Sequence, residues 1–257
     1  MRLGALLPPI MDGSEPRTIE RQVTELVDAG YESLWMAQAI GRGFMITDPL
    51  IALTAAAAVT NQRSDGNQIE LGTAVLQLPL YQPMDLAHRI FSLLQIAGPR
   101  VIIGVGAGST EKDFQAFGRD YASRFQVFND AVSSLREIFS SGGLADSQLS
   151  PWAGLDREVP LFFGTWGKRV QRAAQEFDGW IASGHYRTVD EVCTALSTYR
   201  EAGGGRAIVS TLQVSAETDL GEFKEKLQAF EQAGFDDAVV MLLPGGPKPE
   251  AVRKLVD

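Results

Sequence analysis

The sequence predicts a single domain, a (β/α)8 barrel that spans residues 1–257. Short apolar runs alternate about eight times with longer segments of helical period, and eight is the number of β/α units that a closed parallel barrel needs. The runs are apolar throughout, as strands are when helices cover both faces of a parallel sheet. With 257 residues, 45% of them hydrophobic, the chain is long enough to bury a core of this size.

The predicted strands are short and are separated by turn residues or helix signals. An open doubly wound sheet can be built from the same units and is the alternative architecture. The strands are expected at residues 3–7, 31–37, 69–78, 101–105, 161–163, 180–182, 207–214 and 238–243.

The predicted helices follow the strands and have recognisable starts. The first begins near Ser14 or Glu15. Thr47 or Asp48 caps the second, with Pro49 at its first position, where the missing amide hydrogen costs little. The later helices are expected at residues 83–95, 125–139, 168–177, 189–202, around 223–230 and at 250–256.

Composition excludes several classes of function. The net charge of −9 and the pI near 4.8 leave no basic face for a nucleic-acid partner. Cys193 is the sole cysteine, which excludes an internal disulfide and indicates a reducing compartment. No uninterrupted apolar run approaches the roughly 18 residues of a membrane span, and no signal-peptide pattern is present, so a cytoplasmic protein is predicted. The sequence shows neither metal-ligand spacing nor a Ser/His/Asp arrangement.

The loops after the strands are where a barrel places its working groups, and three of them have distinctive sequences. The first contains Gly-Thr-Ala-Val at residues 72–75. The second contains Gly-Val-Gly-Ala-Gly at residues 104–108 and continues through residues 112–120 to Arg124. The third, residues 163–169, places a glycine and two cations at the start of a predicted helix.

In this order and spacing, these motifs resemble those of the luciferase-like family of flavin-dependent oxidoreductases, which includes bacterial luciferase and the F420-dependent reductases. The resemblance covers nearly the whole chain. It implies a flavin at the C-terminal ends of the barrel strands. In the monooxygenase branch, a separate reductase supplies reduced FMN, which reacts with O2 to oxidise a small organic substrate. Relatives commonly dimerise, which implies a homodimer.

The resemblance also implies which residues contact the flavin ring. Family members have a cis peptide bond in the third strand, and the corresponding bond here joins Ala74 and Val75. Gln77 is then placed to form a hydrogen bond with the edge of the ring. Gly106, at the end of the next strand, is expected to line the same site.

The flavin phosphate is expected at the next two strand ends. Gly167, Lys168 and Arg169 lie at a predicted helix start, where free amides and the helix dipole favour an anion. Trp166 precedes them, and Arg124 matches the arginine that binds phosphate in luciferase-like enzymes. The cluster favours FMN, which ends in a phosphate monoester. Coenzyme F420, with its lactyl-glutamate tail, is the alternative, and it implies hydride transfer instead of oxygenation.

The catalytic residues depart from the family pattern. Many relatives have an acid–histidine pair after the second strand, whereas this chain has Gln38, which can bind a substrate but cannot shuttle protons. Ser109 stands where F420-dependent sugar-phosphate dehydrogenases have a glutamate. His185 follows the sixth strand and is the second weak catalytic candidate, whereas His88 is expected to be structural.

Two other functions are rivals of this interpretation, and the sequence is compatible with the first of them. The missing acid–histidine pair allows a flavin-binding barrel without turnover. An aldolase or isomerase with a phosphate site is the other, but such an enzyme needs a lysine or paired acids at the strand ends, which the sequence lacks.

Overall fold

Eight parallel strands close into a barrel in the computed structural model, which describes residues 1–7, 18–43, 46–149 and 159–256. They are β1 (Arg2–Leu6), β2 (Ser33–Met36), β3 (Glu70–Thr73), β4 (Val101–Gly106), β5 (Leu161–Gly164), β6 (Gly179–Ser183), β7 (Arg206–Val214) and β8 (Asp237–Leu242). Each strand pairs with its neighbours in chain order, and β8 pairs with β1. The predicted (β/α)8 barrel is therefore confirmed.

Helices pack outside the strands. They are α1 (Thr18–Asp28), α2 (Pro49–Thr60), α3 (Pro83–Ala97), α4 (Glu111–Ala116), α5 (Arg124–Ser141), α6 (Val170–Glu176), α7 (Val189–Glu201), α8 (Leu220–Ala233) and α9 (Pro249–Arg253). None of the helices in the described ranges is both long and apolar enough to cross a membrane. The residues predicted to start the first helix, Ser14 and Glu15, lie outside the described part of the chain.

The start of α2 shows how local sequence determines where a helix begins. The Asp48 side chain accepts hydrogen bonds from the amides of Leu50 and Ile51, and Pro49 occupies the first turn, where it forfeits no helical bond. Of the two cap residues that the sequence allowed, Thr47 and Asp48, the cap is therefore Asp48.

Three segments differ from the sequence prediction. The strand predicted over residues 69–78 stops at Thr73, and pairing with β4 resumes only at Leu76–Gln77. The helix predicted over residues 168–177 begins as a 3-10 turn, Gly167–Arg169, and becomes α-helical at Val170. Helix α4 has six residues, too few to show a helical period, and sequence reasoning misses it.

The barrel interior is a packed layer of large side chains from successive strands. Trp35 on β2 fills much of it and is fully buried. Gly72 on β3 makes the room, because a Cβ atom there would lie 2.2 Å from the Trp35 ring. The other members of this layer are Leu6, Ile102, Phe162, Ile181, Ile208 and Val239.

An ion-pair network closes the N-terminal end of the barrel. Arg206 at the start of β7 donates to both carboxylate oxygens of Glu70 on β3, at 2.9 and 2.6 Å, and to those of Asp237 on β8, at 2.7 and 2.8 Å. Arg2 on β1 adds a bond of 3.0 Å to Glu70. Asp237 is fully buried, so these contacts replace the water that the carboxylate has lost. The network links four of the strands through their first residues.

Replacing Glu70 with glutamine is expected to flatten the acid side of the pH–stability curve. Burial alone raises the pKa of Glu70, but the hydrogen bonds and charges of Arg206 and Arg2 outweigh it, and the pKa lies below its ordinary value of 4.5. A lowered folded pKa contributes stability above the unfolded pKa, and that contribution is lost as the pH falls through the folded pKa. Urea unfolding of both proteins between pH 5 and pH 3 tests this; parallel curves would show that Glu70 contributes nothing to the slope.

Candidate cofactor site

A cleft of about 490 Å³ lies at the C-terminal ends of the strands, the end where barrels carry their sites. It is lined by residues at or just after the ends of β2, β3, β4, β5 and β6, and by Ser210 and Thr211 within β7. Most of the residues proposed from sequence line it: Gln38, Ala74, Val75, Gln77, Gly106, Arg124, Trp166, Arg169 and His185. Gly167 and Lys168 are exposed and do not.

A bulge after β3 forms one wall of the cleft. The peptide bond between Ala74 and Val75 is cis, as the family resemblance implies. The Val75 side chain packs between two glycines on neighbouring strand ends. A Cβ atom on Gly106 would lie 2.9 Å from a Val75 methyl group, and a Cβ atom on Gly164 would lie 2.6 Å from the other. The glycines therefore make room for the bulge.

Replacing Gly164 with alanine is expected to lower the free energy of unfolding by about 1–3 kcal/mol, the usual cost of overpacking. The added methyl group overlaps Val75, whose branched side chain has few alternative rotamers. Gly205→Ala is the matched control, since a Cβ atom there has no heavy atom within 4 Å. Thermal and urea unfolding of both variants measure the difference; equal stability would show that the bulge has room to spare.

Gln38 lines the cleft, but its amide is engaged at both ends. Its Nε2 donates to the Tyr81 hydroxyl at 2.6 Å, and its Oε1 accepts from the backbone amide of Gln77 at 2.7 Å. Burial raises the pKa of Tyr81 well above its ordinary value, so this phenol stays protonated at neutral pH. Gln38 thus ties the end of β2 to the bulge, and it has little hydrogen-bonding capacity left for a substrate.

Gln77 lies beside a buried ion pair that sequence reasoning did not find. Its Nε2 donates to Asp113 Oδ2 at 2.7 Å, and its Oε1 is buried and has no partner among the described residues. Asp113 on α4 is fully buried and also accepts two hydrogen bonds from Arg42, which lies on the loop after β2. Burial alone raises the pKa of Asp113, but the bonds from Arg42 and Gln77 outweigh it and hold the pKa below its ordinary value.

Two arginines share one aromatic ring at the edge of the cleft. The guanidinium of Arg169 lies 3.6 Å from the ring centre of Phe125, and that of Arg124 lies 4.3 Å from the same ring. Arg124 also stacks on Tyr121 at 3.8 Å and donates to its carbonyl oxygen. Its Nε is buried without a partner, and neither arginine forms an ion pair within the described chain. The rings hold the guanidinium planes and leave N–H groups for a ligand.

The loop after β6 supplies further groups. His185 is exposed and packs edge-on against Tyr186, with ring centres 4.0 Å apart. Arg187 stacks on Trp166 at 4.3 Å. On the next strand, β7 bulges at Thr211, whose φ of 62° is rare for a β-branched residue and is typical of functional sites.

The cleft is positively charged although the chain is acidic. Among the described residues, its lining contains four arginines and no carboxylate, whereas the chain as a whole has a net charge of −9. Only Arg42 has a carboxylate partner within hydrogen-bonding distance in the described chain. Such a local excess of cations attracts anionic ligands. No group of three or more His, Cys, Asp or Glu side chains in the described ranges is arranged to hold a metal ion.

Several of these groups were missed from sequence. Arg187 and Phe125 lie next to or near proposed residues, but only the fold shows that they stack on others. Asp113 belongs to a motif that was singled out without a role. Arg42 had no local signal, because its partner is 71 residues away.

The fold and the cleft define a barrel protein with a cluster of arginines at the C-terminal ends of its strands. The chain belongs to the luciferase-like monooxygenase family, whose model matches residues 2–230. It is 34% identical over 125 residues to 4-hydroxyprotoasukamycin monooxygenase of Streptomyces nodosus subsp. asukaensis, which covers 46% of this chain and 32% of that protein. The chain thus spans about a third of the length of the curated relatives that it matches first.

Solved structures with the same fold contain two kinds of cofactor. An F420-dependent secondary alcohol dehydrogenase with an F420–acetone adduct superposes with a TM-score of 0.77 at 15% identity, over 99% of this chain and 97% of that one. The oxygenating constituent of 3,6-diketocamphane monooxygenase from Pseudomonas putida, a complex with FMN, gives 0.67 at 18% identity, over 90% and 74%. At these identities the likeness concerns the fold.

Proposed function

We propose that this protein is a flavin-dependent monooxygenase that binds reduced FMN in the cleft and uses O2 to oxidise a small organic substrate. The observation that carries the proposal is the pair Arg124 and Arg169, which stack on Phe125 and have no carboxylate partner among the described residues. Two neighbouring cations without a counter-ion favour a dianionic group, and a phosphate monoester is one. The buried, unpaired Nε of Arg124 fits the same group, because it lacks an acceptor in the described chain.

The other residues of the cleft have roles compatible with a flat ring. Ala74 and Val75 present the cis bulge, and Gly106 and Gly164 keep the bulge seated. Gln77 has a buried side-chain carbonyl oxygen without a partner in the described chain, which would accept a hydrogen bond from the ring. Bound flavin would supply the redox chemistry, and the protein would supply its orientation.

An F420-dependent oxidoreductase is the second candidate, and Arg187 favours it. This third arginine stacks on Trp166, on the loop next to Arg169, so the cationic edge extends beyond what one phosphate needs. The anionic tail of F420 would use the additional charge. The solved neighbour with an F420 adduct agrees with this reading, and the neighbour with FMN agrees with the first.

A flavin-binding protein without turnover is the alternative outside the enzymes, since Gln38 stands where many relatives have an acid–histidine pair and its amide is already engaged. The separate reductase, the homodimer and the cytoplasmic location also remain predictions. Oxygen consumption tests turnover: the protein is mixed with FMN, NADH and an unrelated flavin reductase, and candidate substrates are added. Substrate-dependent product supports the monooxygenase. If FMN binds but no product forms with a broad set of substrates, the binding protein is the better description.

A further inference from the structure

The loop after β2 carries one cation that the cofactor proposal leaves without a role. This loop is where relatives are expected to place catalytic side chains, and Gln38 on it is held at both amide ends by Tyr81 and Gln77. Arg42 lies four residues further on and lines the cleft. Its side chain is 31% exposed, so a molecule in the cleft can reach it.

Arg42 is held in one orientation. Its Nε donates to Asp113 Oδ1 at 3.0 Å and its Nη2 donates to Asp113 Oδ2 at 2.6 Å, which is the bidentate geometry of a strong pair. Asp113 cannot move easily, because it is fully buried and also accepts from Gln77. Gly41 keeps the loop against α4: its φ is +75°, and a Cβ atom there would lie 2.9 Å from the Lys112 carbonyl oxygen.

This geometry leaves Nη1 of Arg42 without a partner in the described chain, although a guanidinium has five N–H donors. It also decides which acceptor suits Nη1. Asp113 stays ionised, so the pair as a whole is neutral, and a second full negative charge would be repelled by the buried carboxylate. An uncharged oxygen acceptor meets no such repulsion. Arg124 and Arg169 differ, because no carboxylate of the described residues pairs with them.

We propose that Arg42, oriented by Asp113, binds the carbonyl oxygen of a neutral substrate through Nη1 and thereby selects carbonyl compounds over carboxylates. The inference rests on the proposed function, in that the ligand at Arg42 is taken to be the substrate and not the cofactor. Asp113 is a positioning residue: it fixes the guanidinium plane and cancels its charge.

Three small probes of similar shape test the proposal. Cyclohexanone carries a carbonyl oxygen, methylenecyclohexane replaces that oxygen with a CH2 group, and cyclohexanecarboxylate carries a full charge. Ligand-detected NMR titrations give their dissociation constants with the protein, both without and with saturating FMN. We expect cyclohexanone to bind at least tenfold more tightly than the other two, the size of one charge-assisted hydrogen bond. Equal affinities would overturn the proposal.

Variants assign the preference to Arg42. In Arg42→Met, cyclohexanone and methylenecyclohexane should bind equally, whereas Arg89→Met, which removes an exposed arginine of α3 outside the cleft, should keep the tenfold difference. The double variant Arg42→Met/Asp113→Asn provides the same test if the single one fails to fold, since it leaves no buried carboxylate unpaired. A ketone preference that persists without Arg42 would overturn the assignment.

Asp113→Asn gives a readout that a purely structural role would not produce. Asparagine still accepts a hydrogen bond from Arg42 but no longer cancels its charge, so the preference should move from cyclohexanone toward cyclohexanecarboxylate by tenfold or more. An unchanged preference in a folded variant would contradict the charge argument.

The FMN dissociation constant of Arg42→Met separates this proposal from the cofactor proposal. If FMN binds no variant but the ketone preference holds, only the flavin claim fails; if Arg42→Met weakens FMN and leaves the ketone unmoved, Arg42 belongs to the cofactor site.

Discussion

Replacing Arg206 with methionine is expected to lower the free energy of unfolding by about 3–5 kcal/mol, the usual cost of removing one partner from a buried ion pair. The change leaves Asp237, which is fully buried, and Glu70 with Arg2 as their remaining cation. Arg2 lies 3.6 Å from Asp237 and is more exposed than Arg206, so it compensates only in part. Since these side chains start four different strands, the loss is expected to affect the cooperative unfolding of the whole barrel.

Urea unfolding at pH 7 measures this effect, and Arg89→Met is the matched control. Arg89 pairs with Asp85 one turn away on α3, and both side chains are about half exposed. Such surface pairs contribute little, so the control should change stability by less than about 0.5 kcal/mol. If Arg206→Met is no more destabilising than Arg89→Met, the network at the N-terminal end does not hold the barrel together.

Replacing both Arg124 and Arg169 with alanine is expected to weaken FMN binding by about a thousandfold. Each guanidinium is expected to give phosphate a charge-assisted hydrogen bond, which is worth about 1.5–3 kcal/mol or roughly tenfold to a hundredfold in affinity. Each single variant should bind FMN roughly tenfold to a hundredfold more weakly than wild type. Their effects need not add, because both side chains stack on Phe125 and the loss of one frees the other to move.

Lys168→Ala is the control for the arginine variants. Lys168 has the same charge, precedes Arg169 directly and is exposed like it, but it does not line the cleft. Its replacement should leave the FMN dissociation constant within about twofold of wild type, a few tenths of a kcal/mol. If Lys168→Ala weakens FMN as much as Arg169→Ala does, the turn Gly167–Arg169 binds the phosphate as a unit, which is what the sequence alone predicted.

The barrel could be predicted from the sequence because its signals are local. Pro49 and the cap at Asp48 fix the start of α2, and the all-apolar strands report that both sheet faces are covered. The cis bond between Ala74 and Val75 was implied by the family resemblance and not by any local propensity. Helix α4 was lost, since six residues are too few for a period to appear.

The site residues that could be predicted from sequence are those in the segments that follow the strands. Arg124, Trp166 and Arg169 follow strands and do line the cleft. The contacts that give them their character are long-range: Arg42 meets Asp113 across 71 residues, and Arg169 meets Phe125 from a different strand end. Such pairs leave no pattern in a single sequence, because each of these residues is of a type that is common on an ordinary surface or helix.

One titration tests directly whether the cleft binds the phosphate of a flavin. Purified protein is titrated with FMN, with riboflavin, which has the same ring but no phosphate, and with F420, and binding is followed by flavin fluorescence. We expect FMN to bind with a dissociation constant of about a micromolar or lower and riboflavin to bind at least about a hundredfold more weakly, since two charge-assisted contacts are absent. Tight F420 binding with weak FMN binding would show that the cofactor of the cleft is F420 and not FMN. If no flavin binds, or if riboflavin binds as tightly as FMN, the assignment of the cleft as a flavin phosphate site is wrong.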